Sequence, residues 1–337
     1  MNPTATADAL RPAIPGLVLR HYRPGDGAAL SELENADYAA DGIHWRSTGE
    51  ETENWYARPT DGFDALRDVL VVELDGRVVA ETNVARVDTT DRQREYRIGC
   101  TVHPDLRRRG IGRWLLRLSE EAAAGRHRVE PTERPVVLGT WCPELSVGKV
   151  ALIEREGYRP VRFFFDMERP TLAGIVLPSM PEGLEVRPVP AARLRQLWDA
   201  DVEAFLDHWG GFDASGGRFE AWLNDPKFDP SLHVVAWDGD EVAGGVINEV
   251  SEAENAALGR QQGWLASVFV RRPWRRRGLA RALVMRSLAV LRDRGLTSAG
   301  LGVDADNENE ALRLYTECGF EVSMKSSAYR KPMVPGA

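Results

Sequence analysis

The chain has 337 residues, 28% of them charged, and its 51 Asp and Glu against 43 Lys and Arg leave a formal net charge of −8. That length exceeds one ordinary hydrophobic core and predicts about two domains of roughly 150 residues, while the acidic balance argues against nucleic acid as the main partner. No apolar run approaches the roughly 18 residues of a membrane span, and the three cysteines, Cys100, Cys142 and Cys318, follow no secretory leader, so a cytoplasmic protein without membrane contact or disulfides is expected.

In chain order, Leu17 to Arg20 alternates as a short strand and 28–40 reads as a helix. An acidic, aromatic stretch through Trp45, Trp55 and Tyr56 precedes a strand pair, Val69 to Leu74 and Val78 to Val84, turned at Asp75-Gly76. A strand over Tyr96 to Val102 leads into a helix over Ile111 to Ala124, where Leu115, Leu116, Leu118 and Ala122 fall at mostly helical spacing. Val136 to Thr140 returns as a strand, Ser146 to Glu156 as a helix and Phe163 to Met167 as a closing strand. Residues 170–183 hold three prolines and two glycines and read as a surface linker. The order then restarts: a strand at Leu184 to Arg187, a helix over 191–205, a hairpin from His233 to Ile247 turned at Asp238-Gly239, a strand over Trp264 to Val270 and a helix over Ala280 to Arg292. A strand at Leu301 to Asp304, a helix over Asn309 to Cys318 and a last strand pair near 320–331 complete it. The expected class is α/β (α+β), with domains at 17–169 and 184–334. Each is a mixed, mostly antiparallel sheet flanked by helices, with one parallel step.

A repeated segment marks the restart: Val102-His-Pro-Asp-Leu-Arg-Arg-Arg-Gly110-Ile-Gly112 and Val270-Arg-Arg-Pro-Trp-Arg-Arg-Arg-Gly278-Leu-Ala280. Each runs from the closing valine of a strand into a helix. An isolated arginine triplet is more often a solvated patch, but two at equivalent junctions, each followed by a small residue, suit an anion site. The glycine permits a tight turn and close approach, and the free N–H groups and dipole of the helix start favour a negative group such as a pyrophosphate.

The pattern Arg-x-x-Gly-x-(Gly or Ala) resembles the acetyl-CoA-binding signature of the GNAT superfamily of N-acetyltransferases. Asn307, the run Ala311-Leu-Arg-Leu-Tyr315 and Gly319-Phe320 resemble its second signature. Over about residues 17–334 the chain is similar to a tandem GNAT, with a two-domain arrangement like that of mycothiol synthase. The resemblance implies acetyl-CoA as acyl donor, no metal, and direct transfer of an acetyl group to the primary amine of a small molecule by a monomer or homodimer. It implies a cofactor site at Arg275, Arg276, Arg277, Gly278, Leu279, Ala280 and Asn307, with backbone donors for the developing oxyanion in Val268, Phe269 and Val270. The first loop, with Arg107, Arg109, Gly110 and Gly112, is expected either to hold a second CoA or to be a relic.

The halves differ where chemistry is concerned. Counting back four residues from Gly319 reaches Tyr315, and from Gly157 reaches Ile153. In the superfamily a tyrosine at this place often protonates the departing thiolate. A phenol with a pKa of about 10 is neutral at pH 7 and can act so, whereas isoleucine cannot, and the first half is read as catalytically degenerate. Many relatives carry an acid on the strand before the loop, where this chain has Ala266 and Ser267. Glu249, with Glu252 and Glu254 behind it, is the nominated base, against the blander reading of exposed loop carboxylates. Asp207, His208 and Trp209 are candidates for acceptor binding, against a helix cap packed into an interface; Trp198 and Trp222 crowd the same region. Two other classes compete with the enzyme: a non-catalytic acyl-CoA sensor, which has no need of Tyr315, and nucleic-acid binding through the arginines, which demands steep salt dependence.

Overall fold

The computed structural model describes residue 7 and residues 9–206, 209–210, 216–306 and 311–333. Described residues within 1–161, 215–221 and 327–337 form one compact unit, and those within 162–214 and 222–326 form another. Compactness therefore divides the chain inside two of its strands, not in the 170–183 segment.

In the first unit β1 (Leu17–His21), β2 (Val69–Leu74) and β3 (Arg77–Asp88) are antiparallel neighbours around α1 (Gly27–Ala40), α2 (Gly49–Tyr56) and the single turn α3 (Ala65–Asp68). Asp75 and Gly76 turn β2 into β3 at φ of 52° and 80°, the left-handed pair that a two-residue hairpin requires. β4 (Arg94–Val102) pairs with β3 in unbroken register, from Asp88 opposite Arg94 to Ala80 opposite Val102. After α4 (Ile111–Val129) the chain returns as β5 (Val136–Pro143), parallel to β4 but paired with it only over Arg94 to Arg97. Ile111, Trp114 and Leu115 of α4 pack with Val72, Val79 and Ala80 to form the core beneath this sheet. α5 (Val147–Arg155) and the start of β6 (Arg159–Arg169) follow. α2 falls in the stretch read as merely acidic and aromatic. A reciprocal Thr48–Glu51 capping box starts it, but it buries no residue, so it has the start signal of a helix without the apolar stripe that reveals one.

The second unit contains the rest of β6, β7 (Glu185–Val186), α6 (Leu194–Phe205), the end of α7 (Gly216–Leu223), β8 (Val234–Asp238) and β9 (Glu241–Glu249). It continues with α8 (Glu252–Leu258), β10 (Gln262–Val270), α9 (Leu279–Asp293), β11 (Ser298–Asp304), α10 (Ala311–Glu317) and the start of β12 (Glu321–Pro332). Its sheet runs β6-β11-β10-β9-β8-β7. Only β10 and β11 are parallel, paired from Gln262 opposite Ser298 to Leu265 opposite Leu301. α9 buries Leu279, Leu283, Val284, Leu288 and Leu291 against this sheet, each worth about 1.5–3 kcal/mol of transfer free energy. The strand pair expected near 320–331 is one continuous strand. Its sequence Glu-Val-Ser-Met-Lys-Ser-Ser-Ala-Tyr-Arg-Lys-Pro holds no Gly, Asn or Asp to turn it, and no residue in it has positive φ.

The site is positioned by what happens beyond Leu265. β10 continues for five residues and β11 for three without pairing to each other, so the two strands splay apart. At the same point the β9–β10 register shifts between Leu265 and Ser267, leaving Ala266 as the extra residue of a β-bulge, a device that bends a strand and re-aims its side chains. β4, the corresponding strand of the first unit, has no bulge.

Candidate active site

A cavity of about 430 Å³ opens in the splay between β10 and β11 of the second unit. Its wall brings together Val268, Phe269, Val270, Arg275, Arg276, Gly278, Leu279, Ala280 and Tyr315, which are most of the residues singled out from the sequence. Phe205, Ser267, Trp274, Arg281, Asp304 and Arg313 join them.

The loop backbone is what the repeated motif implied. Arg276 and Gly278 lie at φ of 63° and 79°, and in the first unit Arg108 and Gly110 lie at 64° and 88°. Each loop thus takes the same two left-handed steps into its helix. Such steps turn successive N–H groups toward one point, making a concave nest for an anion at the positive end of the helix dipole. A Cβ placed on Gly278 would meet no atom within 4 Å; since Gly278 is on the cavity wall, the space before the loop backbone is open. The residues present therefore fit a phosphorylated group such as the diphosphate of CoA.

The arginines divide by task. Arg275 is turned away from anion binding, its Nε donating to the Val270 carbonyl at 2.9 Å and its Nη2 to the Ala204 carbonyl at 3.3 Å, which ties the loop to β10 and α6. Arg277 is not on the wall and donates to the Glu182 carbonyl at 2.9 Å. Arg281, on the first turn of α9, lines the cavity and has no carboxylate partner among the described residues. Its position, three residues after Gly278, is the signal that finds it.

The first unit repeats the loop but neutralises it. Arg107 is held by Asp37 and Asp41, both at 2.6 Å. Arg113, three residues after Gly110, is paired with the buried Glu156 at 2.8 Å, and Arg117 contacts the same carboxylate. Glu156 immediately precedes Gly157, where the second unit has Cys318 before Gly319. The 9–14 segment lies against the same loop, with Pro12 Cγ 3.8 Å from a Cβ built on Gly110 and Leu10 and Ile14 packed against the core that holds Ile111. Arg109 and Gly110 are exposed and Gly112 half-buried, its added Cβ 3.4 Å from Leu152. Ile153 is in the core with Ile98, Leu116 and Tyr158.

Tyr315 is 7% exposed and packs edge to face against Phe320, ring centroids 6.1 Å apart. Burial, with a smaller contribution from Cys318, raises its pKa well above that of a free phenol, so the ring remains a proton donor through the neutral range.

The remaining candidates do not converge here. Glu249, at the end of β9, is off the cavity wall with its carboxylate 3.4 Å from the Lys227 ammonium, and Glu254, on α8, pairs with Arg260 at 3.2 Å. Trp198 and Trp222 pair with centroids 5.5 Å apart, and Trp209 packs on Phe164 at 6.2 Å and under Arg162 at 5.9 Å. Arg162 in turn grips Asp304 of the cavity wall at 2.8 Å. Asn307, Asp207 and His208 lie outside the described residues.

One pair that the sequence left unremarked is prominent. Ser267, on the wall one residue past the bulge, donates from Oγ to Asp201 Oδ1 at 2.6 Å. Asp201 stands in the apolar stripe of α6 with Leu197, Trp198, Ala200 and Ala204. Burial raises its pKa, opposed by the Ser267 hydroxyl, to about 7.

Comparison with known proteins agrees with this geometry. A model described as Acetyltransferase (GNAT) family matches residues 194–320, and one described as Acetyltransferase (GNAT) domain matches 65–160. The mycothiol acetyltransferase of Geodermatophilus obscurus is 32% identical over 303 residues, covering 88% of this chain and 91% of that one. A GCN5-related N-acetyltransferase from Sphaerobacter thermophilus is 29% identical, with a TM-score of 0.69 over 96% of this chain and 98% of its own. A tandem GNAT protein of the clavulanic acid biosynthesis pathway shares the fold at 17% identity, with a TM-score of 0.71 over 95% of this chain and all of the other. No helix among the described residues is long and apolar enough to cross a membrane. With two GNAT matches in tandem and a full-length relative, the chain belongs to the GNAT acetyltransferase family and is an N-acetyltransferase.

Proposed function

We propose that the second unit is the catalytic one, that its splayed cavity takes acetyl-CoA as donor, and that the acceptor is the primary amine of a small molecule, in the cytoplasm. The observation that carries this is the combination on one cavity wall of an open phosphate-type loop at Gly278, Arg281 with no carboxylate partner among the described residues, and the buried phenol of Tyr315. In this reading the N–H groups of Arg276 to Ala280 hold the diphosphate, Arg281 adds charge, and within Val268 to Val270 the backbone N–H directed away from β9, on the edge that β11 has left, faces the acyl oxygen. Bound acetyl-CoA supplies the thioester carbonyl that the amine attacks. Tyr315 hands its proton to the leaving sulfur, a role worth about 10²–10⁴ in rate.

The first unit, 17–169 in the sequential division, serves as a degenerate partner: Arg107 of its loop is held by Asp37 and Asp41 and Arg113 of its helix by Glu156, and Ile153 has no proton to give. The naming of the curated relatives as mycothiol acetyltransferases favours an acceptor of the amino-sugar thiol type. The test is acetyl-CoA consumption, with product masses, against glucosamine, cysteamine, an amino-sugar thiol conjugate and a lysine peptide. Consumption with the conjugate above the other three supports the reading. Absence of any amine-dependent consumption by a protein that binds acetyl-CoA overturns it.

A further inference from the structure

Any acceptor that arrives as an ammonium must lose a proton before its nitrogen can attack, and none of the nominated carboxylates among the described residues lines the cavity. We infer that Ser267, backed by the Asp201 carboxylate, is the group that takes this proton, with Ser267 as the catalytic residue on the cavity wall and Asp201 as the positioning residue behind it. This rests on acetyl transfer taking place in the cavity described above.

Three observations, on β10 and on α6, lead here. The Ala266 bulge sets the register so that Ser267 lines the cavity. Its hydroxyl is committed as a donor to Asp201 at 2.6 Å, which leaves the Oγ lone pairs free to accept from an incoming N–H. Asp201, 6% exposed, stands where the stripe of α6 calls for an apolar side chain, and among the described residues Ser267 is its one hydrogen-bond partner. A buried carboxylate with a single neutral partner is a poor structural choice, since an apolar residue of similar size packs there without the desolvation cost. Among the described residues no other charge offsets it. On its own helix Asp199 pairs with Arg195 and Glu203 with Arg271. From β9, Glu241 faces Arg271 and Glu249 faces Lys227. β10 carries no ionisable side chain, and Arg275 of the loop donates to the Ala204 carbonyl of α6. With burial dominating, the carboxyl titrates at about 7, close to working pH, where a general base is most effective.

The proton balance is simple. The ammonium N–H bond breaks toward Ser267 Oγ as the Ser267 O–H proton crosses to Asp201 Oδ1. The amine is left neutral with its lone pair, Ser267 is unchanged, and Asp201 becomes a carboxylic acid that returns its proton to solvent by the same path.

The test combines NMR of the full chain labelled with carboxyl-¹³C aspartate and pH–rate profiles with the panel amine of highest turnover. One aspartate carboxyl is expected to titrate near about 7, to vanish in Asp201→Asn, and to move to higher pH in Ser267→Ala, because the hydroxyl's hydrogen bond to the ionised form is lost. kcat/KM should fall by about 10²–10⁴ in Asp201→Asn, with acetyl-CoA affinity by calorimetry unchanged and with the acidic limb attributable to the carboxyl gone. Asn still accepts the Ser267 hydrogen bond, so a purely structural Asp201 would leave the profile in place. Ser267→Thr, which restores a hydroxyl, should recover most of the rate lost in Ser267→Ala. No aspartate titrating near neutrality, or an Asp201→Asn profile that overlays the parent, overturns the inference. If Asp201→Asn does not fold, the ¹³C titration of the parent and Ser267→Ala proteins decides it alone. Loss of acetyl-CoA affinity in Gly278 variants tests the cavity assignment separately.

Discussion

Placing a methyl group on one glycine of each loop separates backbone strain from ligand binding. Gly278 and Gly110 occupy the same left-handed conformation, φ 79° and 88°, so Ala at either position costs about 1–2 kcal/mol of strain. Sterics add little: a Cβ on Gly278 meets nothing within 4 Å, and on Gly110 it makes only an ordinary 3.8 Å contact with Pro12. For units of this size the strain corresponds to a fall in Tm of roughly 2–8 °C in both variants. CoA distinguishes them. At Gly278 the methyl stands before the loop N–H groups, and displacing one charge-assisted hydrogen bond, worth about 1.5–3 kcal/mol, weakens binding roughly tenfold to a hundredfold. Gly110→Ala should leave affinity where it was. The assay is calorimetric titration with acetyl-CoA, alongside melting of both proteins. Unchanged affinity in a folded Gly278→Ala protein, or an equal loss in Gly110→Ala, refutes the assignment of the binding loop to the second unit.

Tyr315→Phe should lower kcat by roughly one to four decades with little change in acetyl-CoA affinity, and because burial raises the phenol's pKa the parent's rate should show no alkaline limb from Tyr315; equal activity of the Phe variant counts against it as the acid. Arg107→Ala strands the carboxylates of Asp37 and Asp41 and should cost about 3 kcal/mol in chemical denaturation. Glu81 is fully buried and titrates at about 7 against 4.5 for the free side chain, with burial the leading cause. Between those values the folded state holds a proton that the unfolded state has released, so stability declines as pH rises through the window and is level above it. Glu81→Gln should therefore gain up to about 3 kcal/mol on the parent at roughly pH 8 and almost nothing at roughly pH 4, measured by urea unfolding at both.

How much of this was legible beforehand follows from the range of the interactions. The hairpin at Asp75-Gly76, the two arginine loops and the helices behind them depend on residues adjacent in the chain. Small residues at left-handed positions and apolar spacing record them directly, and both loops fold to the same backbone. The contrast of Tyr315 with Ile153 was readable for the same reason, as a count from a glycine. α2 escaped because a capping box without an apolar stripe leaves half a signal. Only the tertiary structure decided the rest. The Ala266 bulge depends on the register of a neighbouring strand, and the neutralising of Arg113 depends on Glu156 from a different helix end. Ser267 meets an aspartate 66 residues earlier in the chain. A buried carboxylate in a helix stripe reads from sequence as an interruption of the pattern; packing that stripe against a splayed strand gives it a cavity-facing hydroxyl to act through, and no local propensity encodes that meeting.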